Sequence, residues 1–400
     1  MKSYLFSLVA TFALCAGYGQ QLTDSSRFSI ITCGPHPDPV YLAFGHSAIR
    51  MVDHTLGIDY IFNYGVFDFN QPNFYLNFAK GSNDYLLGAY DYQYFQQSYI
   101  EDNRFLHEQM LNLTLPQRQK LYKFLVWNSM PANRAYWYDP YYDNCATRVR
   151  DAFVKVFGDS VKFDGSYIKT TYTIRQLTDL YLNNYPWGDL GIDICQGMPI
   201  DRVATPYQYM FLPAYVESGF DHATIMNDSA TVPLVGEKKL IYESTPEQGS
   251  GPLHPLFVMG FIAVVALILT GRDFSKQDLS TWFDVFLFGV TGLIGIVLLL
   301  LWFVTDHKAS ANNLNILWAI PTHFIAVLAF IKQPRWLKSY FLFTAIAEFA
   351  LLGAWFFLPQ QLNPALIPIA VALMIRAYIQ YLLRKRGVYS RARIAKEMML

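Results

Sequence analysis

A cysteine at the first turn of a helix is the residue of this chain best placed for covalent chemistry. Cys145 follows the cap signal Asp143-Asn144 and opens the run CATRVRDAFVKVFG. Unpaired amides and the helix dipole at such a position favour a thiolate and lower the thiol pKa. Cys145, Val149, Ala152, Phe153 and Val156 recur at helical spacing, so the sulfur points at whatever the helix packs on, and Gly158 ends the helix. A thiol nucleophile needs a base, and His46 lies in a β-prone run, VYLAFGHSAIRMV at 40–52. A sheet carrying His46 beneath the Cys145 helix would form a nucleophile–base pair of the papain type, with the histidine first in the chain. The same two residues also suit a plainer role, as a small core residue on an apolar helix face and a core histidine.

Several elements must position these two groups. IDYIFNYGVFDF at 58–69 is β-prone as well, and Asp53-His54-Thr55-Leu56-Gly57 is turn material, so 40–52 and 58–69 read as a β-hairpin. With Val52 facing Ile58, His46 stands opposite Tyr64; a slip of one sets it opposite Asn63. A helix is expected over 114–129, started by Thr114 and Pro116, with Leu121, Phe124, Leu125 and Asn128 at helical spacing. The aromatic loop YWYDPYY at 136–142 leads into Cys145. Residues 170–184 read as helix, and the remainder to about 245 alternates turns with short strand-like runs.

Composition places this constellation outside an ordinary soluble enzyme. Of the 400 residues 53% are hydrophobic and only 16% charged, with a mean hydropathy of +0.17, which excludes a disordered chain or a coiled coil. The 31 basic and 31 acidic residues cancel, so nothing indicates nucleic acid as a partner. The cancellation hides a split: residues 1–252 hold 18 Lys+Arg against 25 Asp+Glu, and residues 253–400 hold 13 against 6. Four cysteines exclude a disulfide-rich scaffold. In an oxidising compartment Cys33 and Cys195 can pair and leave Cys145 free, one of three pairings open to the mature chain. No HExxH, paired CxxC, P-loop or GxGxxG signature occurs, so no cofactor, metal or nucleotide site is indicated.

The split has a topology. Residues 1–19, MKSYLFSLVATFALCAGYG, read as a signal peptide cut after Gly19. Five apolar stretches, about 253–270, 283–304, 314–331, 339–358 and 363–383, each have roughly the ~20 residues that cross a bilayer. With 20–252 outside, the inward segments 271–282, 332–338 and 384–400 carry 2, 3 and 6 Lys+Arg, while the outward loops 305–313 and 359–362 carry one, Lys308. That asymmetry obeys the positive-inside rule. The expected order is signal peptide (1–19), extracytoplasmic α+β domain (20–245), linker PEQGSGP (246–252), five-helix all-α transmembrane domain (253–383) and basic cytoplasmic tail (384–400).

FGHSAIRM at 44–51, FNYGVFDF at 62–69 and YDNCATRVRD at 142–151 resemble the signatures of a Bacteroidetes-type periplasmic domain associated with lipoprotein N-acyltransferase activity. The C-terminal part, including DHKASANNLNILWAIP at 306–321, resembles that family's membrane domain. The resemblance implies a permuted NlpC/P60 or LRAT-like papain fold, an inner-membrane location with the catalytic domain in the periplasm, Cys145 as nucleophile and His46 as base. Permuted enzymes of this type often hold the histidine with a polar residue on the next strand, where Asn63 and Tyr64 are available. Implied partners are a phospholipid acyl donor and a diacylated lipoprotein acceptor, joined through a cysteine thioester. Arg148, one turn beyond Cys145, suits a phosphate contact or a solvated helix face. Asp306, His307, Asn312, Asn313 and Asn315 suit a substrate contact outside two spans or a solvated loop, and His323, Glu348 and Arg376 are polar groups within spans. Two rivals remain: a membrane-anchored NlpC/P60-like peptidase or amidase acting on cell-wall peptides, and a scaffold in which Cys145 only packs.

Overall fold

A computed structural model describes residues 19–36, 42–68, 71–228, 230–245 and 253–388. The expected signal peptide up to residue 18, the linker 246–252 and the tail beyond 388 lie outside the described residues. The chain divides into two units, one of residues 1–181 with 203–249, the other of residues 182–202 with 250–400. The segment 182–202, expected in the extracytoplasmic domain, thus groups with the C-terminal helices.

The N-terminal unit is built on an antiparallel sheet. In chain order its elements are β1 (Ser26–Cys33), β2 (His46–Asp53), β3 (Ile58–Val66), α1 (Phe74–Lys80), β4 (Asp84–Asp91), α2 (Tyr92–Glu101), β5 (Leu106–Leu111), α3 (Leu115–Ser129), β6 (Ala135–Trp137) and α4 (Cys145–Phe157). After β7 (Val161–Lys162) come α5 (Ile174–Leu182), α6 (Pro186–Cys195), α7 (Pro206–Tyr209), α8 (Pro213–Asp221), β8 (Thr224–Asn227), β9 (Ala230–Pro233) and β10 (Val235–Tyr242). Seven strands run in the order β10-β5-β1-β2-β3-β4-β6, and β7-β8-β9 form a small second sheet.

Strand alternation gives the large sheet two apolar faces. Phe28, Ile30, Ile49, Met51, Phe62 and Tyr64 meet Leu121 and Leu125 of α3 and Val149, Phe153 and Val156 of α4. Ile31, Cys33, Ala48 and Ile61 on the other face meet Tyr92 and Phe95 of α2. Each large side chain buried this way contributes about 1.5–3 kcal/mol, so α4 is pinned along its length. The expected apolar stripe of α4 is buried throughout, and Thr114 caps α3 through a reciprocal bond with Gln117.

The β2–β3 hairpin forms in a register that neither sequence alternative anticipated. Val52 faces Asp59 and Ile49 faces Phe62, and continuing the ladder sets His46 across from Gly65. The cause is Asp53, expected in the turn but last in the strand. Its buried carboxylate accepts from Thr23 N (2.7 Å), Thr55 N (3.1 Å) and Leu56 N (3.2 Å), so it closes the turn from inside the ladder.

The C-terminal unit is helical, with α9 (Pro255–Lys276), α10 (Thr281–Phe303), α11 (Thr322–Ala329), α12 (Trp336–Ala354) and α13 (Ile367–Lys385). Among the described residues four helical segments are long and apolar enough to cross a bilayer: Pro255–Lys276, Thr281–Phe303, Trp336–Phe357 and Pro364–Lys385. The expected span 314–331 is broken instead into a short 3₁₀ turn at Leu314–Leu317 and the eight-residue α11. Pro321, just before α11, has no amide to carry a continuous ladder through this stretch. Arg376 pairs not with Glu348 but with Asp284 (2.6 and 2.8 Å) and Asp273 (2.9 Å), tying α13 to α10 and α9 where all three groups are fully buried. Such a buried triad is stable only when its members satisfy one another.

Helix α6 is held in this unit by amide side chains. Asn315 Nδ2 donates to Asp193 O (2.9 Å), Asn313 Nδ2 to Ile194 O (2.8 Å) and Gln360 Nε2 to Gln196 O (2.8 Å). These are carbonyls that the end of a helix leaves unpaired.

Candidate active site

The first turn of α4 owes its position to Asn144. Its Oδ1 accepts from Ala146 N and Thr147 N (both 2.9 Å), and Thr147 Oγ1 accepts from Asn144 N (2.7 Å). Its Nδ2 donates to Pro140 O (2.7 Å) and Phe211 O (2.8 Å). Aspartate or serine could cap, but neither could also donate twice. Asn144→Ala is expected to lower stability by about 2 kcal/mol, a fall in melting temperature of about 4–8 °C. A melt within 1 °C of wild type would contradict this role.

The sheet meets α4 at the end of β2 and β3. Gly65 has φ +91° and sits at a register shift between Tyr64 and Val66, a bulge that bends β3 beside the helix start. A Cβ at Gly65 would lie 3.4 Å from Cys145 Cβ and 4.0 Å from His46 Cε1, so glycine both permits the turn and lets the two side chains meet above the strand. The imidazole of His46 and the backbone amides of Ser47 and Ala146 face the Cys145 thiol closely enough to act on its charge. Two positions along the ladder, on the same face as His46, Asn63 Oδ1 lies 2.5 Å from His46 Nε2, and Asn63 Nδ2 donates to Tyr90 Oη (2.8 Å). Since Nε2 is engaged by Asn63, Nδ1 is the nitrogen left for sulfur. Tyr99 stacks on the imidazole at 6.3 Å and 19°, and Phe95 approaches it at 6.3 Å.

Burial alone would push the Cys145 thiol up. The His46 charge and hydrogen bond, helped by the two backbone donors, outweigh it and hold the thiol below its usual value. Burial would push His46 down; the facing Cys145 and the bond to Asn63 outweigh that and hold it above its usual value. Each group favours the charged form of the other, which is the condition for a thiolate–imidazolium pair at neutral pH. Cys33 makes the contrast: buried on the α2 face, it is pushed well up by desolvation. All three described cysteines are free, so none of the three pairings open to them is formed.

The other expected site residues are placed differently. Tyr64 does not reach His46; it points to the α4 face, donates to Asn128 Oδ1 (2.7 Å) and packs edge-on against Tyr136 (6.2 Å). Arg148 pairs with Asp143 through its Nε and Nη2, one guanidinium edge on both carboxylate oxygens, and covers the Tyr136 ring at 4.1 Å. Asn315 is 1% exposed and bound to α6, whereas Asp306 and Asn312 are exposed and His307 is half-buried. One nearby group escaped the sequence reading. The Tyr136 hydroxyl is buried, has no hydrogen-bond partner among the described residues, and lies 3.9 Å from the point that is 3.4 Å from Cys145 Cβ. Its only sequence signal was membership of the aromatic loop before Cys145.

No curated protein and no solved structure matches the chain. Two family models do: the Lnb N-terminal periplasmic domain over residues 18–179 and the Lnb transmembrane domain over residues 246–387, together about three quarters of the sequence. The first contains the whole Cys145–His46–Asn63 line, and the second contains all four long apolar helices up to Lys385. Carrying both domains in this order, the chain belongs to the Lnb family, as a membrane protein with an N-terminal periplasmic domain.

Proposed function

We propose that this chain moves a fatty acyl group from a phospholipid to the α-amino group of a diacylated lipoprotein's N-terminal cysteine, with Cys145 as nucleophile. Family membership already makes it a membrane-bound lipoprotein-modifying enzyme. The observation that carries the finer statement is the line from the Cys145 sulfur through His46 to Asn63 Oδ1. A strand-borne histidine ahead of a helix-borne cysteine also supports a permuted papain-like core.

In the first half-reaction the thiolate attacks the ester carbonyl of the phospholipid. The tetrahedral intermediate collapses to a Cys145 thioester, and the imidazolium of His46 returns a proton to the leaving lysophospholipid oxygen. Asn63 keeps the ring in line. In the second, the neutral α-amine attacks the thioester, His46 takes the amine proton, and the thiolate leaves. A free α-amine has a pKa near ~8, so a useful fraction is neutral at pH 7. The positive-inside pattern supports a cytoplasmic tail, which sets the cysteine domain on the side where lipoproteins mature.

The buried Tyr136 hydroxyl is the group placed to donate to the developing oxyanion. Tyr136→Phe is expected to slow acyl loading about 100-fold, the cost of one oxyanion donor, while alkylation of Cys145 by iodoacetamide stays within about twofold. Loading at the wild-type rate would remove Tyr136 from the mechanism. The whole proposal is tested in cells by mass spectrometry of lipoprotein N-termini. Deleting the protein should convert triacyl to diacyl species, and restoring it should reverse that. A deletion that leaves triacyl lipoproteins but alters cell-wall peptides would favour the peptidase alternative.

A further inference from the structure

Helix α1 is inside out. Of its seven residues only Phe74 is buried, while Tyr75, Leu76 and Phe78 are 78%, 53% and 57% exposed. A helix on the surface of a soluble domain turns its apolar side inward. Beside it, the edge strand β6 pairs Trp137 with Asp84, three residues past the Gly81 cap of α1, and Trp137 is 64% exposed. Three aromatic rings and a leucine thus lie open in one region, flanked by the exposed charges of Lys80 and Asp84. Tyrosine, tryptophan and phenylalanine with a snorkelling lysine is the composition that settles at a membrane–water interface.

The patch is continuous with the cysteine. From Phe78 the rings run to Phe74 (6.3 Å), from Phe74 to Phe67 (6.0 Å), from Phe67 to Tyr85 (5.3 Å) and from Tyr85 to Tyr138 (4.2 Å). Tyr85 is also the ladder partner of Tyr136, whose hydroxyl closes on the Gly65–Cys145 contact. We infer that α1 and Trp137 dock on the surface of a phospholipid bilayer, and that the ring ladder behind them guides a lipid acyl chain to Cys145. A bilayer is the occupant because the same chain carries four helices long and apolar enough to span one, which tethers its N-terminal unit to a membrane. The inference rests on the acyl-transfer proposal for the identity of the guided chain, but not for the docking.

Two experiments on the full-length protein, reconstituted in phosphatidylcholine–phosphatidylethanolamine vesicles, separate the two parts. A benzophenone amino acid at Leu76 should photocrosslink to lipid, and one at the exposed Lys239 of β10 should not. A protein adduct at position 76, or equal lipid adducts at both positions, overturns the docking. Replacing Tyr75, Leu76 and Phe78 together by serine should slow acyl loading of Cys145 from vesicle phospholipid at least tenfold, with iodoacetamide alkylation of Cys145 unchanged as a check on folding. Loading within twofold of wild type, or alkylation lost in parallel, overturns the guiding role. If wild-type protein loads no acyl group at all, the transfer proposal fails, while a lipid adduct at position 76 still stands.

Discussion

Cys145→Ala is expected to abolish N-terminal acylation of lipoproteins, a loss on the order of 10⁴-fold or more, the scale seen when a covalent nucleophile is removed. Cys145→Ser should be nearly as inactive. A hydroxyl in the same place stays protonated, because the charge of His46 and two amide donors lower a thiol into range but not an alcohol. Stability should change little in either variant, since Cys145 is one small residue on a stripe that Val149, Phe153 and Val156 keep buried. Mass spectra of lipoproteins beside a thermal melt give both readouts. Triacyl lipoproteins persisting in folded Cys145→Ala protein would reduce this cysteine to packing.

The second large effect is at His46. His46→Ala removes the strongest influence lowering the Cys145 thiol and leaves burial, which raises it. The alkylation profile of Cys145 should therefore shift to higher pH, and acyl loading at neutral pH should fall about 10³-fold, within the usual range for a general acid–base group. In the wild type the sign differs on the two sides of the profile. Acyl loading is expected to fall at low pH as the lowered thiol protonates, and to fall at high pH as the raised imidazolium loses the proton it must donate. The plateau is widest with His46 and Asn63 in place. An alkylation profile unchanged by His46→Ala would show that the two groups do not share charge.

Much of this site was legible in the sequence because helix signals are local. Asn144, the stripe from Cys145 to Val156 and Gly158 set the start, face and end of α4 without reference to anything distant. The strand carrying His46 was legible too, but its register was not. Alternation along β2 and β3 is compatible with several offsets, and Asp53 decided between them through bonds to Thr23, thirty residues away in sequence. With His46 across from residue 65, one position beyond the Tyr64 alternative and two beyond the Asn63 one, Asn63 meets His46 diagonally and Tyr64 turns to α4. Hydropathy gave the long apolar helices and the apolar stretch 314–331, but a window average does not register that this stretch is interrupted before Pro321 or that Asn315 is diverted to cap another helix. Arg376, Asp284 and Asp273 come from three helices, and nothing in their spacing announced the triad. Tyr136 was hidden among many aromatic residues, and only its unpartnered hydroxyl beside Cys145 distinguishes it.

The most direct measurement is to incubate the full-length protein with phospholipid vesicles, without a lipoprotein acceptor, and map the modified residue by peptide mass spectrometry. The account predicts one fatty acyl chain on Cys145, released by hydroxylamine and discharged when a diacylated lipopeptide with a free α-amine is added. An acyl group on another residue, or acylated lipopeptide formed by protein in which Cys145 never carries one, would contradict it.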